Sequence, residues 1–226
     1  MYLSYIIFIV ITIASYLVQR SLTSKFEKYS RVPLNGPMTG AQVAMMMLGQ
    51  NGINDVQVTA TSGTLTDFFD PTRKTVNLSD PVYGTNSVAA AAVAAHECGH
   101  ALQHRYSYSM LTLRTKLVPV VQFASQWMAW VLLAGMLLVS VFPAILYVGV
   151  GLFALTTLFS LVTLPVEIDA SRRAVQWLER SGITQGQTTE YARDALKSAA
   201  YTYVVAALGS LATLFYYGAM LMGRRS

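Results

Sequence analysis

Five consecutive residues, His96-Glu97-Cys98-Gly99-His100, have the types and spacing for hydrolytic metal chemistry. They read H-E-x-x-H. On a helix, residues four apart stack one turn above the other on a single face. Two imidazoles so placed can reach one zinc ion, each nitrogen at about 2.0–2.1 Å. Glu97 stands beside them, placed to take a proton from water that zinc has acidified to a pKa near 7. It would then act as general base in attack on a peptide carbonyl. The bland alternative is a pair of buried, hydrogen-bonded histidines on an interior helix.

A zinc ion held this way needs a third protein ligand. His104 continues the i, i+4 series, but at 1.5 Å per residue it lies about 12 Å along the helix from His96. The chain has 3 histidines in all, so a third imidazole from elsewhere is excluded. A carboxylate remains, giving a His₂Glu-type site with one position open. The chain has 11 acidic residues. Glu27, Asp55, Asp67, Asp70 and Asp80 read as solvated turn or strand residues. Glu167, in Pro165-Val166-Glu167-Ile168-Asp169-Ala170-Ser171, falls where an apolar segment ends, a costly place for an unpaired carboxylate. It is the leading third ligand, and Asp169 is the alternative. Arg173, Tyr201 and Tyr203 are candidates to stabilise a developing oxyanion. Cys98 points to the other face of the helix and reads as buried filler. Gly99 leaves room beside His100 for a metal or a second helix.

The elements that must position these groups are mostly apolar. Of 226 residues, 54% are hydrophobic and 12% charged, about half the charge of an ordinary soluble domain, with mean hydropathy +0.44. That excludes disordered and fibrous classes, and nucleic acid is not expected as a partner despite the net charge of +5. With 1 cysteine, no intrachain disulfide forms. Four stretches approach the roughly 20 apolar residues that a bilayer demands, over about 2–18, 118–142, 144–164 and 200–222. The second and third form a hairpin through Val141-Phe142-Pro143-Ala144, which returns Glu167 to the zinc helix. The first segment reads as a retained anchor rather than a cleaved leader, because its basic residues follow the apolar run. If residues 20–117 and 165–199 are cytoplasmic, they hold 14 of the 16 Lys and Arg. Arg224 and Arg225 fall on the other side and conflict with that rule. The organisation expected is an anchor (1–19), a catalytic domain (20–117), a membrane hairpin (118–164), a helical segment with the third ligand (165–199) and a last membrane helix (200–226).

Local signals place the polar elements. Thr39 caps a short helix ending near Gln50. Its Met45-Met46-Met47 run reads as packing. Residues 56–59, 64–69 and 75–78 read as strands of a small antiparallel sheet, separated by Ser62-Gly63 and Asp70-Pro71-Thr72-Arg73. The strand Thr75-Val76-Asn77-Leu78 is one candidate edge for an extended substrate. A helix over 87–106 carries the zinc motif. Pro165 suits the first turn of a new helix that ends at Arg180 before Gly182. Thr188 caps a last helix running toward the fourth span.

Together these residues resemble the small bacterial membrane zinc metallopeptidases of the YugP type, the neutral zinc metallopeptidase family. The resemblance runs through the N-terminal anchor, Leu65-Thr66-Asp67-Phe68-Phe69-Asp70-Pro71 with Val76-Asn77-Leu78-Ser79, the zinc motif continuing as Ala101-Leu102-Gln103, and Pro165 to Ser171. More distantly the chain is similar to the HtpX and CAAX-prenyl endopeptidase group, where a membrane hairpin separates the zinc helix from an E-x-x-A-D motif. Glu167 and Ala170 match that motif, but Ser171 stands at its Asp position, and Asp169 is a shifted substitute for it. The resemblance implies a gluzincin-like catalytic domain and peptidase activity with one Zn²⁺.

The expectation is therefore an α-helical membrane protein with about four transmembrane helices and a small α+β zincin-like catalytic domain. Its function would be that of a multi-pass zinc endopeptidase of the cytoplasmic (inner) membrane, with the site on the cytoplasmic side. Its substrates would be peptide or protein segments, membrane proteins included, near the bilayer surface. Two alternatives compete: an intramembrane protease of the site-2 type, which needs ligands deep within the spans, and a zinc-binding scaffold without catalysis. Retention of Glu97 argues against the scaffold.

Overall fold

A computed structural model describes residues 2–222, with side chains from Ile6 onward; Arg224 and Arg225 lie outside the described residues. The elements in order are α1 (Tyr2–Ser30), α2 (Gly40–Gln50), β1 (Gln57–Thr61), β2 (Phe68–Asp70), β3 (Thr75–Ser79), α3 (Asp80–Tyr83), α4 (Val88–Arg105), α5 (Ser109–Leu137), α6 (Ala144–Arg180) and α7 (Gln187–Met222). The chain is mostly helical. Four helices (α1, α5, α6 and α7) are long and apolar enough to cross a membrane. The chain divides into two compact units, one of residues 1–16, 110–165 and 203–226, the other of residues 17–109 and 166–202.

The first unit is built on close helix contacts. A Cβ at Gly135 on α5 would lie 2.7 Å from the Leu146 Cα on α6, and one at Gly149 would lie 2.8 Å from Leu132. Small residues let the two backbones approach, as membrane helices require. Phe8, Phe123, Trp130 and Phe215 are exposed. Large apolar side chains turned outward suit lipid rather than water.

The second unit has a core of its own. Val43, Ala44, Met47 and Leu48 of α2 pack with Val76 and Leu78 of β3 and with the alanine-rich α4. Thr39 makes the capping box with Gln42 that opens α2. Met47 is fully buried while Met45 is exposed, so the methionine run serves packing on one face only. Ser87 caps α4 by accepting from the Ala90 N–H. Alanine along α4 keeps its surface thin, so neighbours come close. At the far side, Tyr29 stacks on Tyr191 with ring centroids 4.8 Å apart. The Tyr29 hydroxyl and Lys25 Nζ each donate to Asp194 at 2.7 Å, so α1 is clasped to α7.

The structure departs from expectation in two places. The sheet has the order β1-β3-β2, with β1 parallel and β2 antiparallel to β3, so it is mixed rather than antiparallel. The strand expected at an edge, β3, is central. Its Val76 and Leu78 are fully buried, and the strand with the most apolar inward face is the one paired on both sides. Residues 64–67 do not pair, because Leu65 sits at φ 59 and breaks the extended run. The Asp70 turn forms as expected, its carboxylate accepting from the Thr72 and Arg73 N–H groups.

The second departure is at Pro165, which begins no new helix. It lies inside α6, continuous from Ala144 to Arg180. A proline removes one backbone bond, but a true break beside an apolar segment would leave several N–H and C=O groups unsatisfied. Gly182, at φ 73, ends the following turn. Thr188 lies within the first turn of α7, its hydroxyl donating to the Gln185 carbonyl and accepting from the Gln185 N–H. The helix then runs unbroken to Met222.

Candidate metal centre

α4 and α6 meet at Gly99. A Cβ there would lie 2.7 Å from the Ala170 carbonyl oxygen and 3.1 Å from its Cα, so only glycine permits this contact between backbones. The room that Gly99 leaves is therefore occupied by a second helix. Histidines three residues before and one residue after this crossing are brought against Glu167, one turn before Ala170.

His96 Nε2 lies 3.3 Å from Glu167 Oε2, and His100 Nε2 lies 3.6 Å from the same oxygen. The ligand atoms of His96, His100 and Glu167 all fall within 4.8 Å of one another. Ligands 2.0–2.1 Å from a tetrahedral zinc stand about 3.3 Å apart. The donor set thus fits zinc in both chemistry and spacing, with Nε2 of each imidazole turned inward. The rings meet edge to face, centroids 4.8 Å apart. Among the described residues this is the group of metal-binding type, and Asp169 is not in it.

The outward nitrogens are also held. His96 Nδ1 is 3.1 Å from the Ser171 hydroxyl. His100 Nδ1 is 3.0 Å from Gln103 Oε1. Asp169 is turned to Gln103, Arg172 and Arg173, with Arg173 Nε donating at 2.6 Å. The position where the related motif has Asp is thus served by Ser171 itself, and the shifted partnership of Asp169 with His96 does not form. Arg173 is bound to Asp169. Tyr201 is exposed on α7 with Lys197 Nζ 5.8 Å from its ring, and Tyr203, partly buried, belongs to the other unit. His104 is exposed and lies against Phe69, ring centroids 5.8 Å apart.

Glu97 is buried. Burial pushes its carboxyl above the ordinary range; His96 and His100 oppose that, while Glu167 and Asp67 add to it. Burial works against charge on His100, yet its close approach to the Glu167 carboxylate and the charge of Glu97 outweigh this and raise its pKa. Cys98 is fully buried on the α2 side, its Sγ 3.6 Å from the Ala44 carbonyl. Burial raises its thiol far above the reactive range, so it is filler. Sequence reasoning gives Gln103 no role. The available signal is its i+3 spacing from His100, on the same side of α4.

Residues 4–222 match the family described as "Putative neutral zinc metallopeptidase". The chain belongs to this family. It is 44% identical over 223 residues to "Putative membrane protease YugP" of Bacillus subtilis (strain 168), covering 97% of this chain and 98% of that protein. No solved structure matches it. The family resemblance expected from the motifs holds along nearly the whole chain. A membrane protein of a zinc metallopeptidase family, with four apolar helices and a His-His-Glu cluster, agrees with the coarse expectation.

Proposed function

We propose that the protein is a zinc-dependent endopeptidase of the cytoplasmic membrane whose metal is held by His96, His100 and Glu167, with a catalytic domain of zincin type. The convergence of these three donors from two helices, beside a buried fourth group, Glu97, carries this reading. Zinc held there would supply Lewis acidity, polarising a scissile carbonyl and acidifying water. Glu97 takes the proton of the attacking water and passes it to the leaving amine. Glu97 is buried beside the three donors, where a carboxylate can both accept and release that proton. Glu167 adds negative charge that offsets the cation, and Ser171 and Gln103 orient the imidazoles.

An extended substrate would pair with an open sheet edge, and β2 is the better placed of the two. Asp67, one residue before β2, lies within electrostatic reach of Glu97. Its carboxylate accepts from the Ser79 N–H and hydroxyl at 2.7 and 2.9 Å, tying the start of β2 to the end of β3. The substrates would be protein segments near the cytoplasmic surface, a side supported by the split of basic residues.

The decisive comparison is wild type against Glu97→Gln, purified in detergent, by metal content and cleavage of casein. The variant should keep zinc and fold and lose at least 100-fold in rate, the scale of general base catalysis. Equal cleavage by both proteins would refute the reading.

A further inference from the structure

The bonds around Gln103 leave its amide one orientation. Its Nε2 lies 2.8 Å from the Val166 carbonyl oxygen and 3.0 Å from Asp169 Oδ2. Asp169 also accepts from Arg172 at 2.5 Å and Arg173 at 2.6 Å, and the Val166 carbonyl can only accept. Two acceptors demand the two N–H bonds of the amide. Its oxygen must therefore face His100 Nδ1, at 3.0 Å. An amide oxygen cannot donate, so the imidazole nitrogen must. Gln103 is fully buried, so water cannot take either partner's place.

We infer that Gln103 is a positioning residue that keeps His100 Nδ1 protonated and thereby turns the Nε2 lone pair into the cluster, its own amide being oriented by Val166 and Asp169. The inference rests on the reading of His100 as a zinc ligand. It gives Asp169 a part different from the one that sequence spacing offers. The carboxylate acts on the second histidine, through an amide, rather than on the first. His96 has no equivalent device. Its partner, the Ser171 hydroxyl, can donate or accept, so it holds the ring without dictating the proton. The two histidines are thus unequal, one fixed in tautomer and one adaptable.

Two measurements on the full chain in detergent test this. In the metal-free protein, with the pH raised until His100 carries a single proton, ¹⁵N-histidine spectra should show that proton on Nδ1 and exchanging slowly with water. In Gln103→Met, similar in size and without hydrogen bonds, that slow exchange should vanish. Zinc affinity, by chelator competition, should fall about 10- to 100-fold, the usual loss when such a partner is removed. Asp169→Asn still offers Gln103 an amide oxygen and should lose less than Gln103→Met. The inference is overturned by an unprotonated Nδ1 in wild type, by unchanged zinc affinity in Gln103→Met, or by a larger loss in Asp169→Asn. Should wild type take up no zinc, the ligand reading fails while the metal-free spectrum still decides the proton's position. Should Gln103→Met fail to fold, the wild-type spectrum and Asp169→Asn still decide.

Discussion

Replacing Gly99 by alanine should loosen the metal site without touching a ligand. The new Cβ would meet the Ala170 carbonyl oxygen at 2.7 Å, its Cα at 3.1 Å and its carbonyl carbon at 3.2 Å. All three are backbone atoms, so no side chain can swing aside. Restoring an ordinary contact separates α4 from α6 by roughly 0.7 Å, since well-packed interiors have no slack to absorb the methyl. His96 and His100 ride on one helix and Glu167 on the other. Their separations of 3.3 and 3.6 Å would open toward about 4 Å. Metal ligands tolerate about ±0.2 Å. Overpacking of this kind costs about 1–3 kcal/mol, and each 1.4 kcal/mol that falls on the metal is about tenfold in affinity. Gly99→Ala should therefore weaken zinc binding by about tenfold or more and lower the unfolding temperature. Chelator competition and thermal unfolding with and without zinc read both. Cys98→Ala is the control, since Cys98 is buried toward α2, and it should leave zinc affinity unchanged. Wild-type zinc affinity in Gly99→Ala would refute the claim that this contact sets the ligand spacing.

Zinc content should fall sharply in Glu167→Ala and less in Asp169→Ala; the reverse order would make Asp169 the ligand. Glu97→Gln should also raise the stability of the metal-free protein near neutral pH. Burial raises the folded pKa of Glu97, so its favourable contribution is present in acid and is lost as pH rises through that value. The substituted glutamine does not titrate, so the variant's advantage should appear at neutral pH and disappear in acid, and an advantage independent of pH would exclude this cause. Arg73→Cys, made in a Cys98→Ser background, should react with a membrane-impermeant thiol reagent only after the membrane is disrupted. Labelling in intact cells would reverse the proposed orientation.

What the sequence revealed was what local geometry decides. The cap at Thr39, the Asp70 turn and the helix bearing His96 and His100 each depend on residues within one turn of each other. Glu167 was legible because histidine ran out and because a carboxylate at the end of an apolar run needs a partner. The strand order was not legible, since alternation shows which face is buried but not which neighbour lies beside it. Continuity through Pro165 was hidden for a similar reason. Proline argues for a boundary locally, and only the apolar surroundings decide that losing one bond costs less than ending the helix. For Gln103 the sequence offers only its spacing from His100, because both acceptors of its amide arrive from α6, 63 and 66 positions away.

The clasp of Tyr29 and Lys25 on Asp194 joins residues 165 and 169 positions apart. Synthesis proceeds from the N-terminus at about 5–20 residues per second. Glu167, the last of the three candidate ligands, is therefore made 27 residues before the clasp can close, a delay of roughly 1–5 seconds at that rate. During that interval the aromatic surface of Tyr29 is unmatched, and Lys28, already beside Tyr29, lacks the Tyr191 ring. A chain whose first and last helices are joined in this way thus finishes its scaffold last. A chain truncated before Asp194 would carry the whole donor set yet lack the clasp that holds its first helix to its last.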